Sequence, residues 1–280
     1  MSTQRLLLGD ETTWGQACST RAPLPRLSTK PAGRKCPAQW TDLDLTQQKR
    51  DFPDFYITSP QPCPYLPGRL ERKVFTHLSR EKPPPVIDHL LRSGFRRSQN
   101  IAYTPYCDAC QACVSVRIVV DEFMPRRSLR RTLESNADLV VERLEAVPTE
   151  ERYLLFRQYI ESRHSDGGMA EMSELDFGLM VEDSIIETTL TEHRLNGRLV
   201  AAALCDALSD GISMVYSFYA PDHGPRSLGT YMILEQVEHA RLLGLPYVYL
   251  GYWIRGSRKM SYKSRFRPLE HMTQSGWVRK

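Results

Sequence analysis

An α/β (α+β) protein of mixed sheets flanked by helices is predicted from three observations. Residues 186–220 carry three strand-like runs, "IETTLTEHRL", "RLVAAALCDAL" and "ISMVYSFYA", separated by the turn signals Asn196-Gly197 and Asp210-Gly211. A helix-period stretch closed by Gly244 follows, and after it comes "LPYVYLGYW", rich in β-branched and aromatic residues. Apolar residues make up 41% of the 280, enough to fill a sizeable core.

Residues 1–50 contain Pro23, Pro25, Pro31 and Pro37 and hold no period of 2 or 3.6, which predicts a disordered extension. Its basic stretch Arg21 to Lys35 is too proline-rich for an amphipathic presequence and reads as a dispensable leader. Residues 51–145 form a first half. "PQPCPYLPGR" is a proline-bracketed turn and "RKVFTHL" a strand. In "PPPVIDHLLRSG", Val86, Ile87, Leu90 and Leu91 make one helical face, with Gly94 at the left-handed cap. The strands "VSVRIVV" and "DLVVERL" then flank the basic "PRRSLRR". Residues 146–280 form a second half. Thr149 caps a helix with Glu150 and Glu151 at its positive end, and Tyr153, Phe156 and Ile160 share a face. The three-strand meander follows, then a helix from a Ser227 cap to Leu243, then the final strand.

The formal charge of +4 permits nucleic-acid contact without demanding it. No apolar run approaches the roughly 18 to 20 residues of a membrane helix, and no secretory signal is visible. The expectation is a cytoplasmic protein with no membrane partner. Seven cysteines without a secretory signal predict reduced thiols, with metal or redox roles ahead of disulfides.

Three antiparallel strands, a loop, a helix and a parallel-returning strand resemble the GNAT acyltransferase fold. There the loop before the helix carries an Arg/Gln-x-x-Gly-x-Gly/Ala run that holds the pyrophosphate of coenzyme A. Here it reads "PRSLGTYM": Arg226 and Gly229 fit, but Tyr231 stands where a small residue belongs. The loop therefore keeps the fold and argues against its usual cofactor. A wider set of runs, "CPYLPGR" (63–69), "SGFRRS" (93–98), "CDACQAC" (107–113), "SFYAP" (217–221), "SLGTYMILEQVEHAR" (227–241) and "GLPYVYLGYWIRGSRKMSYKSRFRPLE" (244–270), resembles the arginyl-tRNA–protein transferase family and, within it, the bacterial leucyltransferase branch. The resemblance covers roughly residues 54 to 270. It implies transfer of leucine from leucyl-tRNA to the α-amine of proteins beginning with Asp or Glu, delivery of the product to the Clp protease through its N-degron adaptor, and a duplicated GNAT-like fold. The eukaryotic branch transfers arginine, which stays open here as the alternative donor.

An aminoacyl ester is already activated, and an α-amine of pKa about 7.7–8.0 is partly neutral in the cell, so the chemistry asks for positioning more than a strong base. The candidate catalytic residues are Tyr231, Tyr249, Tyr252 and His164. Tyr247 and Tyr249 should share one face of the last strand, Val248 and Leu250 the other, with Tyr252 where it runs out. Ordinary core aromatics and a structural histidine are the competing readings. For the acceptor's carboxylate the candidates are Arg96, Arg97, Arg163 and Lys259; Lys263 and Arg265 join Lys259 as phosphate contacts, with Ser227 and Gly229 in the loop before the helix. Arg126, Arg127, Arg130 and Arg131 would meet a tRNA backbone if their segment is helical.

Cys107, Cys110 and Cys113 repeat the first three ligands of an iron–sulfur run, and Cys63-Pro64 supplies a fourth thiol. A cluster or zinc is expected there, against reduced thiols packed as small hydrophobes. Members of the resembled family have been linked to metal through N-terminal cysteines, and transfer itself requires no cofactor. Cys205 reads as core, and Cys18 and Cys36 fall in the leader. Two rivals remain: a coenzyme A-dependent acetyltransferase, and a metal-stabilised RNA-binding protein without catalysis.

Overall fold

Local sequence signals and distant pairings build this molecule together. The computed structural model describes residues 4–5, 53–79, 84–163, 165 and 168–280. The extension expected over 1–50 lies outside that range apart from Gln4–Arg5. The chain begins with β1 (Gln4–Arg5), β2 (Tyr56–Ile57), β3 (Gln61–Pro62), β4 (Leu70–Glu71), β5 (Lys73–His77), α1 (Pro84–Arg92), β6 (Arg96–Ser98) and β7 (Ile101–Pro105). Five of these strands pair in the order β1-β2-β5-β7-β6. Helix α1 buries Ile87, Leu90 and Leu91 and ends at Gly94, whose φ of 92° is the left-handed stop its sequence announces.

The remainder comprises β8 (Cys113–Val119), α2 (Arg127–Glu134), β9 (Val140–Glu145), α3 (Glu150–Arg163), α4 (Glu174–Glu182), β10 (Thr188–Leu195), β11 (Arg198–Leu208), β12 (Gly211–Tyr219), α5 (Leu228–Leu242), β13 (Tyr247–Ile254), β14 (Leu269–Thr273) and β15 (Gly276–Arg279). Eight strands form one sheet in the order β15-β14-β8-β13-β12-β11-β10-β9. Strand β8 is antiparallel to both β13 and β14 and sits between them. Its residues Ser115 to Val119 are buried without a break, which fits a strand covered on both faces even though Ser115 and Arg117 are polar.

The meander forms as expected. Asn196 (φ 50°) and Gly197 (φ 83°) make the tight turn between β10 and β11, with Leu195 paired to Arg198. The second turn falls one residue earlier than the sequence suggests. Leu208 pairs with Gly211, so Ser209-Asp210 is the turn and Gly211 opens β12. The reason is steric: a Cβ there would collide with the Tyr247 carbonyl of the neighbouring strand. Thr149 Oγ1 accepts from the Arg152 amide, as its capping role requires. Ser227 differs from expectation. It caps through a left-handed backbone (φ 54°) and makes no side-chain cap bond. Helix α4 was not foreseen, although Ser173 and Asp176 form a capping box.

The main core lies where α3, α4 and α5 meet the large sheet, with Phe156, Phe177 and Phe218 ring centroids 5.1–6.0 Å apart. Val248 and Leu250 join this core, while Tyr249 packs on α1 with Tyr247 beside it, the alternation read from the strand. Among the described residues no helix is long and apolar enough to cross a membrane.

Candidate active site

Strands β12 and β13 run parallel and pair only over Gly211–Ser213 and Tyr247–Tyr249. Beyond that they part. β12 stays paired with β11 as far as Tyr219, and β13 stays paired with β8 as far as Ile254. The facing edges therefore open a wedge whose peptide groups must find other partners.

Two basic side chains supply them. Arg96, reaching from β6, places Nη2 2.6 Å from the Met214 carbonyl oxygen and 2.9 Å from that of Val215. Lys263, in the 3₁₀ segment Arg258–Arg265, donates from Nζ to Leu250 O at 2.8 Å and Tyr252 O at 2.7 Å. Gly251 makes the approach of Arg96 feasible. Its φ is 71°, and a Cβ there would sit 2.6 Å from Arg96 Cζ. Arg96 Nη1 is buried without a hydrogen-bond partner. Among the described residues neither cation forms an ion pair with a carboxylate. Burial, assisted by the Arg96 charge, pushes the Lys263 amine down to about 7.

Tyrosines surround these cations. Tyr159 of α3 lies 4.9 Å from Tyr219 of β12, centroid to centroid, and Tyr103 of β7 lies 6.2 Å from Tyr252. Burial raises the phenols of Tyr159, Tyr216 and Tyr252, and Tyr65 is pushed up to about 12, so all four stay protonated and can donate. Tyr65, Tyr252, Tyr262 and Lys263 all feel the Arg96 charge. Sequence reasoning passed over Tyr65, Tyr159, Tyr216 and Tyr219. A glycine inside the strand "YLGYW" was the available signal for a close approach.

The structure separates the remaining candidates. The Tyr252 hydroxyl faces the Gly94 and Tyr103 carbonyls at 3.2 and 3.0 Å. Tyr249 sits at the closed end of the strand pair, its hydroxyl donating to Asp210 and accepting from Arg117. Tyr231 is buried in the main core against His193, their ring centroids 5.6 Å apart. His164 lies outside the described residues. Arg97, 4% exposed, is locked to Asp206 by two bonds of 2.7 and 2.8 Å. Arg163 is exposed with its guanidinium 5.8 Å from the Tyr219 ring, while Lys259 and Arg265 are exposed beside buried Lys263.

In the loop before α5, Arg226 makes a bidentate pair with Asp138 at 2.6 and 2.8 Å. The Asn136 amide donates to the Arg226 carbonyl. Gly229 is closed off by Tyr219, whose ring lies 3.1 Å from where a Cβ would be. With its arginine engaged and its glycine covered, this loop does not fit coenzyme A. On α2, Leu129 and Thr132 are buried, leaving Arg126 at its N-cap and Arg127, Arg130 and Arg131 within it exposed and without ion pairs among the described residues. The cysteines do converge electrostatically. Burial first, then Cys107, Cys63 and Cys110, raise the Cys113 thiol to about 12. Yet among the described residues no three acidic, histidine or cysteine side chains are arranged to hold a metal ion, so the expected ligand set is not formed.

The large mixed sheet opens at the β12–β13 wedge around two basic side chains, Arg96 and Lys263, with protonated phenols nearby, and this is the candidate site of an acyltransferase whose family is shown by its relatives. Residues 61–131 match the family model for the arginine-tRNA-protein transferase N terminus, and 151–273 match that for its C terminus. An aspartate/glutamate leucyltransferase of Parvibaculum lavamentivorans is 60% identical over 235 residues, covering 83% of this chain and 98% of the relative. One from Bradyrhizobium sp. (strain ORS 278) is 56% identical over 245 residues, covering 84% and 95%. The chain belongs to the arginine-tRNA-protein transferase family. Among solved structures, FemX aligns with TM-score 0.43 at 10% identity, covering 69% of this chain and 67% of FemX. A tandem GNAT protein of clavulanic acid biosynthesis aligns with TM-score 0.39 at 13% identity, covering 79% and 62%.

Proposed function

We propose that the protein moves leucine from leucyl-tRNA to the α-amine of proteins that begin with Asp or Glu. The observation that carries this reading is the 60% identity, across 98% of its length, to a relative named for that acceptor pair and that donor. The reaction joins an amine to an ester carbonyl and releases the ribose hydroxyl, so the site must align the two and stabilise an oxyanion. The protonated phenols around the wedge are suited to the oxyanion.

Arg96 is the residue proposed to read the acceptor's carboxylate. Of the four cations considered, Arg97 is spent on Asp206, and Arg163 and Lys259 are exposed. Arg96 keeps a buried N–H without a partner, and an unmade bond in a buried site is a standing penalty that an incoming carboxylate would relieve. The exposed Lys259 and Arg265 on the segment that carries Lys263, and the four arginines at and within α2, are proposed phosphate contacts for the tRNA. The product would pass to the Clp adaptor in the cytoplasm. Transfer on this reading needs no cofactor, and a metal at Cys63, Cys107, Cys110 and Cys113 has only their convergence in its favour.

The test is transfer of radiolabelled leucine from leucyl-tRNA, and of arginine from arginyl-tRNA, to peptides starting with Asp, Glu or Ala. Leucine on the acidic peptides alone is the expected result. Arginine transfer would change the donor, and tRNA binding without any transfer would leave an RNA-binding protein.

A further inference from the structure

Lys263 is 6% exposed and makes two hydrogen bonds, to the carbonyls of Leu250 and Tyr252. These alternate residues present their carbonyls on one edge of β13. That edge faces the wedge, because the other is taken by β8. An ammonium carries three N–H groups and no acceptor, whereas a neutral amine carries two N–H groups and one lone pair. Two carbonyls and no carboxylate among the described residues match the neutral form. The charged and titratable groups near Nζ agree. Arg96 from β6 repels a second positive charge, and the Tyr252 hydroxyl is turned to the Gly94 and Tyr103 carbonyls. On its own segment Lys259 and Arg265 are exposed, and the Tyr262 phenol is raised.

We propose that Lys263 Nζ is the proton acceptor for the α-ammonium of the protein substrate. The inference rests on the transfer reading above and adds to it the group that activates the nucleophile. With the acceptor's carboxylate on Arg96, its α-ammonium gives one proton to Nζ and gains a lone pair. That pair attacks the ester carbonyl carbon of leucyl-tRNA, forming the C–N bond. The tetrahedral intermediate collapses by breaking the bond to the ribose oxygen, which takes the proton back from Nζ. The second amine proton leaves to solvent, giving the amide, free tRNA and neutral lysine. The low value of about 7 suits the exchange, since a base poised near the working pH both accepts and returns a proton.

The experiment combines two readouts on the full chain. NMR of the protein labelled at lysine Cε should show one resonance titrating near pH 7, missing from Lys263→Met. Single-turnover leucine transfer to an Asp-starting peptide should be measured from about pH 5.5 to 9 for wild type, Lys263→Met and Lys263→Arg. Both variants should lose about 100-fold or more in rate, and the acid limb should move from near 7 to about 8, the acceptor amine's own value. Arginine can bond both carbonyls, as Arg96 does on the facing strand, but stays charged. Rescue by Lys263→Arg to within a few-fold would therefore overturn the proposal, leaving Lys263 a plug of the strand edge. A Lys263 resonance titrating above about 9 would overturn it too, even if Lys263→Met fails to fold. A wild-type protein that transfers no leucine would sink the transfer reading itself, an outcome separable from failure of Lys263 alone.

Discussion

The two ends of the β12–β13 pair handle charge in opposite ways. At the closed end each cation has its anion. Arg92 Nε lies 2.8 Å from Asp210, and Arg117 pairs with Glu270 at 2.8 Å while stacking 3.4 Å from the centre of the Tyr247 ring. Asp88 accepts from the Ser209 amide and hydroxyl at 2.8 and 2.7 Å. At the open end Arg96 and Lys263 donate to peptide carbonyls and, among the described residues, pair with no carboxylate. Among the described residues, carboxylates meet the arginines where the two strands pair, and none meets Arg96 where they part. The contrast even divides neighbours in sequence, since Arg97 belongs to the balanced set and Arg96 to the other.

The sharpest way to break this comparison is Arg97→Ala, which strands Asp206 in a fully buried site. It should cost about 3–5 kcal/mol in urea unfolding, and a loss under about 1 kcal/mol would mean that the pair holds nothing together. A third buried environment sharpens the rule. His193, 0% exposed, is held down to about 4 by burial, with Arg143 adding to the effect. Its folded value lies below the unfolded value of about 6.5, so the unfolded chain binds the extra proton between those limits. Stability should fall by about 3 kcal/mol as pH drops from 6.5 to 4, and the slope should flatten in His193→Gln on thermal or urea unfolding.

At the open end, Arg96→Gln should lower kcat/KM for Asp- and Glu-starting peptides about 10- to 100-fold, equivalent to about 1.5–3 kcal/mol of lost charged hydrogen bonding. Its loss of stability should be smaller than that of Arg97→Ala; the reverse ranking would invert the assignment of the two arginines. The smallest effect is expected on α2. Arg130→Ala should reduce the salt dependence of tRNA affinity by about one unit of slope, read by fluorescence anisotropy at several salt concentrations.

Signals confined to a few residues were legible in the sequence. Asn196-Gly197, Gly94 and Thr149 each announced a turn, a stop or a start that the backbone then makes. Gly211 misled by one position because its constraint comes from Tyr247 on another strand. Insertion of β8 between β13 and β14 was invisible for the same reason, as is any pairing between distant segments. For the site, Arg96 and Lys263 were among the candidates by residue type. The carbonyls that Arg96 meets lie 118 and 119 positions away, and those that Lys263 meets, 13 and 11 residues back, come within reach only because β13 leaves its β12 neighbour there. Arg96 and Arg97 are the same residue type, and only Asp206 tells them apart. Tyr159, Tyr216 and Tyr219 come from two elements and pack against the main core, so nothing in the sequence sets them apart from ordinary core aromatics.

Strand β8, made in the middle of the chain, has both its neighbours in the last third, β13 on one edge and β14 on the other. During synthesis it must therefore wait with two open edges, and an unpaired strand rich in valine and isoleucine is an invitation to pair with another chain. The wedge cannot assemble on the ribosome until Lys263 has emerged, and β8 is not sealed until residues 269–273 follow it. Until both late strands are in place β8 keeps an open edge, so its two partners are the last pieces this part of the sheet receives.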